Sequence, residues 1–156
     1  MTGGTHHYRA TCSWSGSTRV GYDHYDRSHR VTCPPATDAL ALSSDAAFHG
    51  DPTRLNPETL QLAAASSCQL LSFLAVAARA RVDVLAYEDE AEADMPEDDR
   101  PVRITAIRLR PRITVAAGTD EAKVHTLVGL AHQECYIANS LTSAMDIEAT
   151  VEVASG

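Results

Sequence analysis

Four cysteines, Cys12, Cys33, Cys68 and Cys135, are the residues of this chain whose chemistry depends most on their surroundings. They form no CxxC pair, and no Cys/His set has zinc-ligand spacing. His24, His29, His125 and His132 stand singly and the His6–His7 pair reads as solvated, so no metal site and no cofactor are assigned. In a reducing compartment a disulfide framework is not expected, which leaves each thiol as packing filler or as a redox group. Cys68 lies in the middle of residues 56–80, NPETLQLAAASSCQLLSFLAVAARA. A thiol there is either an inert small hydrophobe or a protected nucleophile. As a nucleophile it needs help, because a free thiol has a pKa of about 8.5 and apolar burial raises it. A guanidinium would serve, being always charged and rich in donors.

The stretch around Cys68 reads as a helix. Asn56 suits the N-cap, Pro57 the first helical position, and Glu58 the positive end of the helix dipole. Leu60, Leu62, Leu70, Leu71, Phe73, Leu74 and Val76 fall nearly all round it, which predicts a helix buried on all sides. Before it, residues 8–14, 20–32 and 39–43 read as short strands or ordered loop, separated by Ser15-Gly16-Ser17 and Pro34-Pro35. After it, residues 82–95 alternate, with Leu85, Tyr87, Ala91 and Ala93 on one face, Asp89 a misfit among them, and acids on the other. Residues 104–116 alternate as well, Ile107, Leu109, Ile113 and Val115 against Arg108, Arg110 and Arg112.

A hairpin folded about Arg100 would set Glu88 opposite Arg112, Glu90 opposite Arg110 and Glu92 opposite Arg108. Pro111 is expected at an edge or bulge. Thr119-Asp120 caps a second helix to about Glu134, with Val124, Leu127, Val128, Ala131 and Cys135 as its apolar stripe. A final strand, residues 146–153, turns Ile147, Ala149, Val151 and Val153 inward. The order βββ–α–ββ–α–β predicts an α+β fold, and because the strands come in hairpins, parallel winding is not expected. Residues 1–7 read as a frayed or disordered N-terminus and 8–156 as a single domain.

The chain has 156 residues, with 21 acidic against 13 basic side chains for a net charge of −8. That balance argues against nucleic acid or an anionic membrane as partner. The first residues hold no apolar run of signal-peptide type, and Gln61, Ser66, Gln69, Ser72 and Arg79 make the central helix too polar for lipid. A soluble, cytoplasmic protein is expected.

Three motifs occur together. They are Asn56-Pro57-Glu58 ten residues ahead of Ser67-Cys68, Leu130-Ala131-His132 through Cys135 to Ile137-Ala138-Asn139-Ser140, and Gly21-Tyr22 with Tyr25-Asp26-Arg27-Ser28-His29. In this combination the chain resembles the OsmC/Ohr family of thiol-dependent hydroperoxide reductases, in its OsmC-like branch, from about residue 8 to 153. The resemblance implies an OsmC-like fold and an intertwined homodimer with active sites at the subunit interface. It implies Cys68 as peroxidatic thiol, Cys135 as resolving thiol, Glu58 as the active-site glutamate and Arg27 as the activating arginine. Arg19 and Arg30 compete with Arg27, because the first hairpin departs from the Gly-Gly-Arg-Asp turn of the Ohr branch. A small-molecule hydroperoxide as substrate and a lipoyl-type dithiol as reductant are implied in the same way.

Glu58 and Cys68 are separated by roughly 15 Å along a straight helix. Glu58 is therefore expected to serve a Cys68 site only across a twofold axis, or through a break near the helix start. Two other classes stay open: a non-catalytic homodimer binding a lipophilic small molecule at its interface, and a structural homodimer without chemistry. Cys12 and Cys33 are expected to be packing residues.

Overall fold

The computed structural model describes residues 3–156; the N-terminal stretch expected to fray starts with two residues that lie outside those described, and residues 3–7 are exposed without regular structure. The chain forms two compact units, the first ending at Leu60 and the second running Gln61–Gly156.

In the first unit, β1 (Thr11–Ser13), β2 (His29–Thr32) and β3 (Ala39–Leu42) form an antiparallel sheet in the order β1-β2-β3. The strands are shorter than the sequence pattern suggests, because residues 18–28 have better local partners than a sheet offers. Ser17 accepts a hydrogen bond from the Arg19 amide at 3.3 Å, opening a short 3-10 turn at Thr18–Val20. Gly21 then takes φ +95°, a conformation that side chains disfavour, and its amide donates to Thr18 O at 3.1 Å. Cys12, on the edge strand β1, and Cys33, just past β2, are exposed, so neither is the packing residue expected.

Helix α1 (Pro57–Arg79) starts as its sequence predicts. Asn56 Oδ1 accepts from the Thr59 amide at 2.8 Å, and Thr59 Oγ1 accepts from the Asn56 amide at 3.1 Å. This reciprocal pair satisfies donors that the first turn leaves free. Burial all round is met on one face only. Ala65, Gln69, Phe73, Val76 and Ala77 are packed, whereas Leu71 is 63% and Leu74 39% exposed.

In the second unit, three long apolar-alternating segments are each interrupted once. The first gives β4 (Val84–Asp89) and β5 (Glu92–Asp94), the second β6 (Ala106–Leu109) and β7 (Pro111–Val115), the last β8 (Ala144–Ile147) and β9 (Thr150–Val153). The interruptions fall side by side, so the segments form two three-stranded sheets, β4-β7-β9 and β5-β6-β8. The hairpin register is the one the charges specify, Glu88 opposite Arg112 and Glu92 opposite Arg108. Its middle rung differs. The break removes Glu90 from the ladder, and Arg110 pairs instead with Glu92 at 3.1 Å and Glu148 at 3.8 Å. These pairs are solvated, so they help to set the register and add little to stability.

Three further expectations give way to local geometry. A bulge between Val84 and Ala86 reverses the phase of β4, which puts Val84 inward and leaves Leu85 55% exposed. Pro111 is buried at the first position of the central strand β7, where the break spares it a ladder bond. Parallel winding does occur: β6 pairs with β8 and β7 with β9 in parallel, the chain crossing over through α2 (Glu121–Glu134). In the closing segment Ile147, Ala149 and Val151 pack inward, while Val153 is 36% exposed.

Asp89, the misfit, is explained by the break. Its Oδ1 accepts from the Arg110 amide at 2.7 Å, a donor the interrupted ladder leaves without a strand partner, and its Oδ2 accepts from Ser66 Oγ of α1 at 2.5 Å. One carboxylate thus caps the break and fastens the sheet to the helix two residues from Cys68. Around it lie two apolar clusters, one built on Phe73, Val76, Ile113, Val115 and Val124, the other on Ala65, Ile107 and Leu109.

Candidate active site

Cys68 stands in the fourth turn of α1, and Cys135 is the C-cap of α2, whose start is fixed by Asp120 accepting from the Ala122 amide at 2.9 Å. The packing of α1 against α2 through Gln69, whose Nε2 donates to Val128 O at 3.3 Å, sets the two cysteines side by side. Each of the two thiols bears on the acidity of the other. Cys135 is fully buried and Cys68 partly so. Past Cys135 the chain turns through Tyr136 and Ile137 into a 3-10 turn at Ala138–Ser140, which aims successive amides back at the sulfurs. The Ile137 amide donates to Cys68 Sγ and the Ala138 amide to Cys135 Sγ, each at 3.5 Å.

These donors separate two chemically identical groups. Burial pushes the Cys68 thiol up, but the Ile137 amide, the Cys135 thiol, the Tyr136 amide and the Ser72 hydroxyl outweigh it and hold Cys68 below the ordinary thiol value. Burial also pushes Cys135 up; the Ala138 amide offsets only part of this, and a neighbouring Cys68 thiolate raises it further. In the pair, therefore, Cys68 loses its proton first and Cys135 keeps one to donate. Ser72, one helical turn after Cys68, follows from helix spacing; the Tyr136 and Ile137 amides have no side-chain signature that a sequence could display.

Arg27 and Glu58 belong to the first unit. The Arg27 guanidinium donates to Tyr25 O at 2.9 Å and Tyr22 O at 2.6 Å and lies over both rings, 4.0 Å from the Tyr25 centroid and 5.0 Å from that of Tyr22. With Cys12, Trp14, Tyr25, His29 and Pro57 it lines a cavity of about 410 Å³. Arg30 and Arg19 do not line it: Arg30 projects from β2 and Arg19 sits in the exposed 3-10 turn. Among the described residues Arg27 has no ion-pair partner, and Glu58 makes none with it. α1 is unbroken from Pro57 to Arg79, so the helix break that would bring Glu58 toward Cys68 is not present. Among the described residues no group of three or more His, Cys, Asp or Glu is placed to hold a metal.

The second unit is thus an α+β arrangement in which amides of one turn reach two free cysteines, Cys68 from α1 and Cys135 from the end of α2. The OsmC-like protein model matches residues 49–150, and the chain belongs to that family. No curated protein matches it. Among solved structures it is similar to an OsmC-like protein of unknown function from Vibrio cholerae, at 24% identity over 96% of this chain and 100% of that one, with a TM-score of 0.79. It is similar to an organic hydroperoxide resistance protein OsmC from Legionella pneumophila, at 19% identity over 97% and 100%, TM-score 0.70. An organic hydroperoxide resistance protein from Elizabethkingia anophelis gives 17% identity over 99% and 100%, TM-score 0.72. At these identities the likeness establishes the fold.

Proposed function

We propose that the protein is a thiol-dependent peroxidase that reduces organic hydroperoxides, with hydrogen peroxide as a further candidate substrate. The Cys68 thiolate attacks one peroxide oxygen, the O–O bond breaks, and the alkoxide leaves and takes a proton as the alcohol. Cys68 is then a sulfenic acid. Cys135 condenses with it, forming the S–S bond and releasing water before over-oxidation intervenes. A dithiol of lipoyl type returns both cysteines to thiols, and a reducing cytoplasm is the compartment that suits the cycle.

The observation that carries this reading is the turn after α2. It aims the Ile137 amide at the Cys68 sulfur and the Ala138 amide at the Cys135 sulfur, each at 3.5 Å, in surroundings that lower the pKa of Cys68 and raise that of Cys135. Two of the three structures compared above bear the name organic hydroperoxide resistance protein, which supports the same substrate class. Arg27 and Glu58 are proposed to act on Cys68 across the interface of a homodimer. The exposed Leu71 and Leu74 on α1 support a twofold contact there. α1 is long and apolar enough to cross a membrane by length and composition, but its bonds from Ser66 to Asp89 and from Gln69 to Val128 O fit a helix of a protein core.

The decisive experiment follows consumption of an organic hydroperoxide and of hydrogen peroxide with a dithiol reductant, comparing wild type with Cys68→Ser. Loss of turnover in the variant is expected; equal rates would end the enzymatic reading. One observation favours a second reading, in which the protein only binds a lipophilic small molecule. It is the aromatic lining of the cavity beside Arg27. Retained ligand binding with negligible peroxide turnover in wild type would point there.

A further inference from the structure

His49 occupies a backbone position that favours glycine. It follows the 3-10 turn at Ala46–Phe48 with φ 61° and ψ 27°, the left-handed conformation that side chains disfavour. The turn around it is fixed from several sides. Asp45 Oδ1 accepts from the Ala47 amide at 2.8 Å, the His49 amide donates to Ala46 O at 3.0 Å, and Ser44 Oγ donates to Phe48 O at 3.2 Å. Gly50 comes next, where a Cβ would run into the Ser44 carbonyl, so the glycine of this turn is already committed to a close approach. A left-handed residue other than glycine, held there by its surroundings, points to a use for its side chain.

That side chain reaches the loop of residues 21–28, which belongs to the same unit. The imidazole stands nearly perpendicular to the Tyr22 ring, centroids 5.5 Å apart, and its Nε2 lies 3.4 Å from Asp23 Oδ1. Tyr22 in turn holds Arg27. Its carbonyl accepts from the guanidinium at 2.6 Å, and its ring centroid lies 5.0 Å from the guanidinium carbon. Tyr25 supplies the other half of that seat. Trp14 fastens the Tyr25 end of the loop, through an edge contact with the Tyr25 ring at 6.3 Å and by donating from Nε1 to Asp26 O at 2.7 Å. At the Tyr22 end the reaching side chain is His49. Tyr22 is 61% exposed, so without a neighbour its ring is free to leave Arg27 for water.

We infer that His49 is a positioning residue for Arg27: it braces Tyr22 and Asp23 and so keeps one half of the guanidinium's seat in place. The inference rests on the role proposed above for Arg27 at the Cys68 thiolate. Both members of the His49–Asp23 pair are solvated, so the ring contact is the larger part of the brace. Loss of His49 leaves Arg27 chemically intact but less often correctly aimed. The attack of Cys68 on peroxide then slows with no change at the thiols themselves.

The test replaces His49 with Asn, which tolerates the left-handed backbone and has no ring to set against Tyr22. In a Cys135→Ser background, where the sulfenic acid of Cys68 accumulates, its formation is followed with a dimedone-type reagent. His49→Asn should slow that step roughly 3- to 10-fold, the range for losing one aromatic contact. Arg27→Ala should slow it further, and adding His49→Asn to Arg27→Ala should slow it no more, because His49 acts through Arg27. Additive losses would mark a general loosening of the unit and overturn the inference. So would an unchanged rate in His49→Asn where Arg27→Ala is slow. A second measurement needs no peroxide: in NMR the Arg27 guanidinium protons, protected by their bonds to Tyr22 O and Tyr25 O, should exchange with water faster in His49→Asn, and unaltered exchange refutes the inference. Should Arg27→Ala oxidise at the parent's rate, the role of Arg27 at the thiolate is what fails, and the exchange measurement alone decides whether His49 positions it. His49→Gly, which adopts the left-handed backbone freely, replaces the Asn variant if that one does not fold, with the same results expected.

Discussion

Replacing Asp89 with Ala removes the acceptor for the Arg110 amide at the sheet break and for the Ser66 hydroxyl on α1 in one step. Hydrogen bonds to a charged group contribute roughly 1.5–3 kcal/mol each. Asp89 is half-buried and water can reclaim part of the loss, so Asp89→Ala should cost about 2–4 kcal/mol. For a chain of this length that corresponds to a fall in Tm of about 5–15 °C. Asp89→Asn keeps an oxygen for the Arg110 amide and should cost about half as much. Ser66→Ala should cost about 1 kcal/mol and be coupled to Asp89→Ala by about 1 kcal/mol. Urea and thermal unfolding by circular dichroism, at one fixed protein concentration, give these values. Faster hydrogen exchange at the Arg110 amide locates the effect. If Asp89→Ala unfolds within about 0.5 kcal/mol of wild type, or the cycle closes within about 0.3 kcal/mol, the account of the break is wrong.

The acidity split predicts stability changes of opposite sign. Cys68, lowered in the folded state, contributes stability that is present above the unfolded thiol value and lost as pH falls through its folded value. Cys135, raised, contributes stability that is full below the unfolded value and lost as pH climbs through its folded one. Urea unfolding from about pH 7 to 10 should therefore show Cys68→Ser and Cys135→Ser diverging from wild type in opposite directions. Arg27→Lys cannot reproduce the fork on Tyr22 O and Tyr25 O or the stacking on both rings. It should loosen residues 21–28, read by the fluorescence of Trp14, the single tryptophan, whose Nε1 donates to Asp26 O. Leu71→Glu with Leu74→Glu places charges on the exposed stripe of α1 and should yield a monomer in sedimentation; an unchanged mass would remove the twofold contact proposed there.

What a sequence displays depends on whether side chains or the path of the backbone set the outcome. The start of α1 is legible because Asn56 and Thr59 bond each other's amides through their own side chains. The hairpin register is legible because acids and arginines alternate along both segments, and Glu88 and Glu92 find the arginines that alternation selects. Leu85 is misread because a single bulge reverses strand phase without leaving any mark in residue type. Asp89 is the converse case. Its break with the pattern signals the interruption beside Arg110, a signal that becomes readable once an inward carboxylate is asked which donor it serves. The parallel pairing of β7 with β9 escapes a reading by hairpins, because it depends on the crossover through α2 rather than on either strand. At the thiols, the sequence points to Cys68 and Cys135 and not to what distinguishes them, since two of the donors to Cys68 are amides that any residue except proline would supply.

Main-chain donors have a further effect on how the protein tolerates change. Side chains at positions 136 and 137 can be exchanged widely without loss of the N–H groups that favour the Cys68 anion, proline excepted. Length is another matter. One residue gained or lost between Cys135 and Ala138 would rotate those groups off the sulfurs, and Cys68 would revert to an ordinary half-buried thiol while both cysteines stayed in place.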